Sequence, residues 1–176
     1  VETGRVPDAV IRAAIRNLSK KRLVQEGRYD PALAAQRYMD VLNMLKSSAI
    51  AIETDAANEQ HYELPTAFFQ AVLGKNLKYS ACYFADEKTT LDQAEAATLQ
   101  IYCERAQLQD GQHILELGCG WGSLTLWMAE HYPHAKITAV SNSATQREYI
   151  LAQAKLRGFQ HVEVITSDVN VLALDA

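Results

Sequence analysis

The spacing of hydrophobic residues changes near residue 110 of the chain. Before that point apolar residues recur at helical spacing, whereas after it short apolar runs alternate with amphipathic stretches. The first pattern predicts helices over 7–22, 31–52 and 91–106, and a short helix that begins at Pro65 and ends at Gly74. The second pattern predicts strands over 112–117, 135–140 and 161–167, with helices over 123–132 and 143–158 between them.

The alternation of strands and helices predicts an α/β fold with a parallel, doubly wound sheet in residues 111–176. Sheets of this class usually contain about five or six strands, and this sequence supplies only three. We therefore expect the N-terminal half of such a sheet, truncated here, after a helical extension over residues 1–60.

Composition and charge argue against several classes of function. The net charge of the 176 residues is −4, and the 17 Lys and Arg residues form no run longer than three, so we expect no nucleic-acid partner. The three cysteines show no Cys-x-x-Cys spacing, which argues against a metal site and a disulfide framework. No apolar run approaches the ~18 residues that span a bilayer, and no signal peptide is visible. We expect a soluble, cytoplasmic protein without stable membrane insertion.

The stretch LELGCGWGSL, residues 115–124, follows the first predicted strand and places Gly118, Gly120 and Gly122 at alternate positions. In an open parallel sheet, ligands bind beyond the carboxyl ends of the strands, beside such a turn. Residues without a Cβ let the chain turn sharply and let a ligand lie on the backbone, near the free N–H groups of the next helix. A tight turn without a ligand is the alternative.

Two familiar ligand classes do not fit this loop. A dinucleotide site needs a third glycine, where this chain has Ser123, and an acid about 20 positions later, where the second strand ends in AVSNS. A P-loop needs a Gly-Lys-Ser/Thr sequence, which does not follow. The remaining pattern is an acid, Glu116, followed by alternating glycines, with a Ser-Asp pair at 167–168.

This pattern resembles the first motif of the class I S-adenosylmethionine-dependent methyltransferases. HYELPTAFF, YSACYF, TTLDQAEAA and LELGCGWG occur in the order and spacing of the cyclopropane fatty acid synthase-like branch of that family. IYCERAQLQDGQHILELGCGWGSLTL looks most similar to the plant coclaurine N-methyltransferase group. The resemblance, over residues 55–170, implies a class I methyltransferase Rossmann-like fold, a lid with leading helices over 61–110, and S-adenosyl-L-methionine as cofactor.

The resemblance also implies roles for residues around the cofactor's methionine end. Tyr79 and Ser80 belong to the lid, where the Ser hydroxyl binds that end. Gly118 and Gly120 lie against the methionine part, and Glu116 holds the loop or, through water, the cofactor's ammonium group. The alternatives are core packing for Tyr79, a surface position for Ser80 and a carboxylate that only orients the loop for Glu116.

Around the adenosine part, the resemblance implies a second group of residues. Asn142 contacts the ribose hydroxyls, with Ser141 beside it and Gln146 one turn into the helix. Asp168 accepts a hydrogen bond from adenine N6, and the N–H of Val169 completes the contact with the adenine edge. Helix N-capping by Asn142 or the residue after it is one alternative, and capping after a strand is the alternative for Asp168.

One departure from the branch bears on the reaction. Cyclopropane synthases usually carry Cys directly after the Tyr-Ser pair, where it helps to bind a bicarbonate that acts as base. This chain has Ala81 at that position and Cys82 one residue later. Because neighbouring side chains of an extended segment point to opposite sides, the departure favours methylation of an amine over cyclopropanation.

The sequence thus predicts an S-adenosylmethionine-dependent N-methyltransferase that acts on a small amine, such as a benzylisoquinoline-type alkaloid. Cyclopropane synthase-like modification of unsaturated lipid acyl chains and a non-catalytic cofactor-binding fragment are the alternatives. A general base, typically a His with a Glu, is expected beyond Ala176, so no catalytic residue is assigned. The identity of the amine, the number of methyl transfers and homodimerisation are left open.

Overall fold

The structure, a computed structural model, describes residues 6–52 and 64–174 of the chain. The chain divides into two units, Val1–Ala49 and Ile50–Ala176. The first unit contains helices α1 (Asp8–Gln25) and α2 (Pro31–Ser47). The second contains, in chain order, α3 (Thr66–Val72), α4 (Leu91–Arg105), β1 (His113–Leu117), α5 (Ser123–His131), β2 (Lys136–Ser141), α6 (Ala144–Arg157) and β3 (Val162–Thr166).

Helix α2 begins where the sequence predicts but ends earlier. Asp30 caps its N-terminus, because its carboxylate accepts hydrogen bonds from two amides of the first turn. The prediction that this helix continues to Ile52 is wrong, since it ends at Ser47 and Ser48 is already extended. The hydroxyl of Ser47 donates to carbonyls of the preceding turn, and such local bonds compete with continuation of the helix.

The three strands form a parallel sheet in the order β1-β2-β3. Leu117 of β1 pairs with Val140 of β2, and Ser141 of β2 pairs with Thr166 of β3. The carboxyl ends of the strands therefore lie at one edge of the sheet, where the loops that follow them meet. This arrangement confirms the predicted α/β fold and the first half of a doubly wound sheet.

The core of the second unit lies between the sheet and helices α5 and α6. The central strand contributes Ile137 and Ala139, which share one face and have no exposed surface. Ile137 packs in a cluster with Met128 of α5, and Ala139 packs in a cluster with Ile150 of α6. Because these two helices follow β1 and β2, their packing holds the intervening loops at the carboxyl edge.

A buried carboxylate fixes the segment before the sheet. Glu95 of α4 has no exposed surface, and its oxygens accept from the amides of Gly74, Asn76 and Lys78 at 3.2, 2.7 and 3.1 Å. A Cβ on Gly74 would lie 2.7 Å from this carboxyl group, so the close approach requires glycine. Three backbone hydrogen bonds therefore hold residues 74–78 against α4.

We expect alanine at Gly122 to destabilise the protein more than alanine at Gly158. Both glycines have left-handed φ angles, of 77° and 78°, so either substitution costs about 1–2 kcal/mol of backbone strain. Only at Gly122 would the new Cβ overlap a neighbour, 2.5 Å from Ile150 Cγ1, which adds about 1–3 kcal/mol of overpacking. Urea unfolding measures both variants, and equal losses of unfolding free energy would contradict the tight packing at Gly122.

Candidate functional site

Two cavities meet at the glycine loop, residues 118–122, which connects β1 to α5. The first, called here the strand-end cavity, has a volume of ≈ 330 Å³ and lies at the carboxyl edge of the sheet. The second, called the loop cavity, has a volume of ≈ 270 Å³ and lies between the glycine loop and residues 77–80. Gly118 and Gly120 line both cavities.

Every residue that the sequence predicts to bind the cofactor lines one of these two cavities. The strand-end cavity is lined in part by Gly118, Gly120, Ser141, Asn142, Gln146, Asp168 and Val169. The loop cavity is lined in part by Tyr79, Ser80, Glu116, Gly118 and Gly120. The fold thus brings together residues that are far apart in the sequence, and their contacts with a cofactor stay a prediction.

The glycine loop folds over a carbonyl of the neighbouring strand. The amides of Gly118 and Cys119 both donate to the carbonyl of Val140, at 2.9 and 3.0 Å. Gly118 and Gly120 have φ angles of 77° and 53°, and a Cβ on either would meet none of the described residues within 4 Å. Open space beside a strained backbone is what a ligand that lies directly on the chain requires.

Glu116 contributes the carboxyl group in the wall of the loop cavity. Thr125 of α5 donates its hydroxyl to Glu116 Oε2 at 2.5 Å, so the side chain also anchors the loop to the helix. Burial raises the pKa of Glu116 from 4.5 to about 7, although the bond from Thr125 opposes this shift. At neutral pH the carboxyl group is partly protonated, and a cation in the cavity would favour its ionised form.

In the strand-end cavity, one buried amide group has an unused donor. The hydroxyl of Ser141 donates to Gln146 Oε1 at 2.6 Å, whereas Gln146 Nε2 is buried without a partner among the described residues. An unsatisfied buried donor costs about 1–3 kcal/mol unless a ligand or water accepts from it. Ser143 rather than Asn142 caps α6, since its hydroxyl accepts from the amide of Gln146. Helix capping therefore does not account for Asn142.

Asp168 serves the turn after β3 and also lines the strand-end cavity. Its Oδ1 accepts from the amide of Asn170 at 2.7 Å, so the structural alternative for this residue is present in the fold. Asp168 and Val169 nevertheless line the strand-end cavity, as Gly118 and Gly120 do. A role in binding adenine is compatible with this turn, because a carboxylate has two oxygens that can accept.

Tyr79 and Ser80 lie at an exposed edge of the loop cavity. Tyr79 is 46% exposed, and its ring contacts Phe69 of α3 edge-on, with ring centroids 5.5 Å apart. Cys82 lines another cavity, to which the glycine loop does not contribute but which Lys78, Tyr79 and Ser80 also line. Cys82 therefore shares a cavity with the Tyr-Ser pair, although it lines neither cavity at the glycine loop.

Lys78, Trp121 and Ser123 also line the loop cavity, and the sequence prediction assigns none of them to the cofactor. Trp121 Nε1 and Ser123 Oγ are buried without a hydrogen-bond partner in the described part of the chain. The sequence holds a signal for Lys78, because residues two apart in an extended segment share a side. Lys78 and Ser80 stand in that relation, next to the predicted Tyr79.

Two negative observations concern the described residues alone. Within residues 6–52 and 64–174, no three His, Cys, Asp or Glu side chains converge as metal ligands would. None of the helices in those ranges has the length and apolar character needed to cross a bilayer.

Comparisons with known proteins converge on one family. A family model described as mycolic acid cyclopropane synthetase matches residues 51–172. (S)-coclaurine N-methyltransferase of Thalictrum flavum subsp. glaucum is 40% identical over 172 residues, which are 97% of this chain and 47% of that protein. Cyclopropane-fatty-acyl-phospholipid synthase of Escherichia coli (strain K12) is 33% identical over 117 residues, 66% of this chain and 28% of that protein.

A solved structure extends the similarity to three dimensions. The crystal structure of coclaurine N-methyltransferase bound to N-methylheliamine and SAH superposes with a TM-score of 0.86 at 42% sequence identity. The match covers 97% of this chain and 49% of that one. The chain therefore spans about half the length of the relatives that it matches most fully.

We expect the stability difference between the wild type and Glu116→Gln to depend on pH. The pKa of Glu116 in the folded protein, about 7, lies above its usual 4.5, so the folded state binds more protons between these values. The wild type therefore loses unfolding free energy as the pH rises from 4.5 through 7. The loss is on the order of 3 kcal/mol, and the Gln variant avoids it because Gln does not titrate.

Urea unfolding of both proteins at about pH 5 and pH 8 measures this difference, since every other titrating group is common to both. A difference in unfolding free energy that stays constant across this range would contradict the raised pKa.

Proposed function

The chain belongs to the mycolic acid cyclopropane synthetase family of S-adenosylmethionine-dependent methyltransferases, and on that premise we propose that it forms the cofactor-binding part of an N-methyltransferase. The observation that carries this proposal is the glycine loop, which has one cavity on the sheet side and another on the side of residues 77–80. A nucleoside linked to an amino acid has two chemically different ends, and two cavities that share a backbone wall suit such a ligand.

The residues present fit S-adenosylmethionine. In the strand-end cavity, the unused Gln146 Nε2 and the side chains of Asn142 and Asp168 offer amide and carboxylate groups for ribose hydroxyls and an adenine edge. In the loop cavity, Ser80 and Glu116 offer a hydroxyl and a carboxyl group for the amino-acid end. The bare backbone between them would lie along the bond that joins the two ends.

The chemistry divides between the cofactor and the protein. When bound, the sulfonium cofactor supplies an activated methyl group. The residues of this chain bind and orient the donor, and precise alignment with a neutral amine supplies much of the rate enhancement. No proton acceptor for the amine is assigned among the residues of this chain.

We propose a small amine of the benzylisoquinoline type as the methyl acceptor. Two observations support an amine over a lipid chain. The relative named for coclaurine N-methylation matches 97% of the chain, whereas the relative named for cyclopropane synthesis matches 66% of it. Ala81 also stands where cyclopropane synthases usually carry Cys. We further propose a cytoplasmic location and no nucleic-acid partner, in line with the net charge of −4.

The reaction is tested by incubating the full-length protein with methyl-labelled S-adenosylmethionine and either a benzylisoquinoline amine or an unsaturated phospholipid. We expect label in the amine. Label in the lipid alone would replace the proposal by a cyclopropane synthase-like activity. Binding of S-adenosylhomocysteine without label in either acceptor would favour the non-catalytic alternative.

The position of the cofactor is tested by a matched pair of glycine substitutions. Gly118→Ala and Gly158→Ala place a Cβ at φ angles of 77° and 78°, and neither Cβ meets a described residue within 4 Å. Both variants should therefore lose similar stability. Because Gly118 lines both cavities and Gly158 lines neither, we expect Gly118→Ala to weaken binding of S-adenosylhomocysteine by about tenfold or more, ~1.4 kcal/mol.

Isothermal titration of S-adenosylhomocysteine into both variants provides the measurement, with Gly158→Ala expected to match the wild type. Equal affinities for all three proteins would refute the placement of the cofactor against Gly118.

A further inference from the structure

Lys78 is a buried cation beside the loop cavity. Lys78 is 5% exposed and lines the cavity together with Ser80 and Glu116. Its Nζ donates to Ser80 Oγ at 2.5 Å and to the carbonyl of Ala81 at 2.9 Å, and lies 5.1 Å from the centroid of the Tyr102 ring. The ammonium group is thus held in one place by neutral groups.

No carboxylate in the described ranges neutralises this charge. Across residues 6–52 and 64–174, no Asp or Glu oxygen lies within the 4.0 Å of an ion pair from Lys78 Nζ. Glu95 accepts instead from three backbone amides, including that of Lys78 itself at 3.1 Å. Burying an unpaired charge is costly, so an anion supplied by a ligand would account for this lysine.

The bond from Lys78 also determines what Ser80 offers to a ligand. A serine hydroxyl has one proton to donate and two lone pairs. Because the ammonium group donates to Ser80 Oγ, the oxygen acts as acceptor there and the hydroxyl proton is left for another acceptor. Ser80 lines the loop cavity, so this proton is available to a ligand. A donor backed by a positive charge makes a stronger hydrogen bond to an anion.

We propose that Lys78, acting through Ser80, positions the carboxylate of the cofactor's amino-acid end in the loop cavity. The inference rests on the proposed function and assigns a residue that the sequence motifs do not include. Glu116 lines the same cavity and suits the ammonium group of that end. Buried donors on Trp121 and Ser123 add to the attraction for an anion. The cavity then complements a zwitterion, because different segments of the chain supply the ammonium group of Lys78 and the carboxyl group of Glu116.

The positioning depends on a segment that is itself held in place. The amide of Lys78 donates to Glu95, which fixes the backbone from which the lysine side chain extends. Lys75 lies in the same segment, but its side chain is exposed and lines neither the strand-end cavity nor the loop cavity. The chain therefore offers a matched control, namely a lysine three residues away with no access to the site.

The test compares two probe ligands that differ only in the carboxylate. S-adenosylhomocysteine and its decarboxylated analogue are titrated calorimetrically into the full-length wild type, Lys78→Met and Lys75→Met. For Lys78→Met we expect affinity for S-adenosylhomocysteine to fall by about ten- to a hundredfold, ~1.4–2.7 kcal/mol, and affinity for the decarboxylated analogue to change less than about twofold. Lys75→Met should bind both ligands like the wild type.

Each other outcome is decisive. If Lys78→Met weakens both ligands equally, the lysine supports the fold or pairs with an acid outside the described ranges, and the inference is wrong. If it weakens neither, the inference is wrong as well. Failure of the wild type to bind S-adenosylhomocysteine would overturn the proposed function first.

A second variant covers the case in which Lys78→Met does not fold, as judged by its thermal melt. Ser80 is exposed, so Ser80→Ala should fold normally and lose the same preference for the carboxylated ligand. Where Lys78→Met does fold, the losses of the two single variants should not add in the double variant, because both residues act on one group. Additive losses would show that Lys78 does not act through Ser80.

Discussion

The site depends on one hydrogen-bond acceptor, the carbonyl of Val140 near the end of β2. It receives the amides of Gly118 and Cys119, so the chain that leaves β1 is drawn across the end of the neighbouring strand and then enters α5. This is feasible because β1 and β2 are parallel and in register up to the pair of Leu117 and Val140. The loop forms a wall that both cavities share. If a cofactor lies there, a side chain at Gly118 or Gly120 would occupy its space.

A second constraint comes from the other side of the loop cavity. Glu95 accepts hydrogen bonds from every second backbone amide of residues 74–78, three in all, and has no exposed surface. This carboxylate sets the backbone that carries Lys78, Tyr79 and Ser80. One wall of the cavity is therefore fixed by the edge of the sheet and the other by helix α4. A cavity between two fixed walls can preorganise polar groups, which lowers the cost of ordering them when a ligand binds.

The two cavities differ in chemistry as the two ends of the proposed cofactor do. Around the strand-end cavity, Ser141, Asn142 and Gln146 supply neutral hydroxyl and amide groups, which suit a nucleoside. Around the loop cavity, Glu116 and Lys78 supply a carboxyl group and an ammonium group, which suit an amino-acid zwitterion. The raised pKa of Glu116, about 7, means that a bound ammonium group would shift this acid toward its charged form. Binding of the amino-acid end would then be coupled to release of a proton.

The sequence by itself predicted most of the helices and strands and the loop at which the candidate site lies. Strand and helix alternation predicted the parallel sheet, the positions of Gly118 and Gly120 predicted a loop that a ligand can approach, and family motifs supplied the candidate residues. These features are local or periodic, so they can be read along the chain. It did not predict that α2 ends at Ser47, because hydroxyl bonds to the last turn carry no periodic signal. Only the tertiary structure decided that Lys78 is buried beside Ser80, that Glu95 holds its backbone, and that Gln146 keeps an unused donor. Burial and pairing arise from segments far apart in sequence, and folding alone brings those segments together.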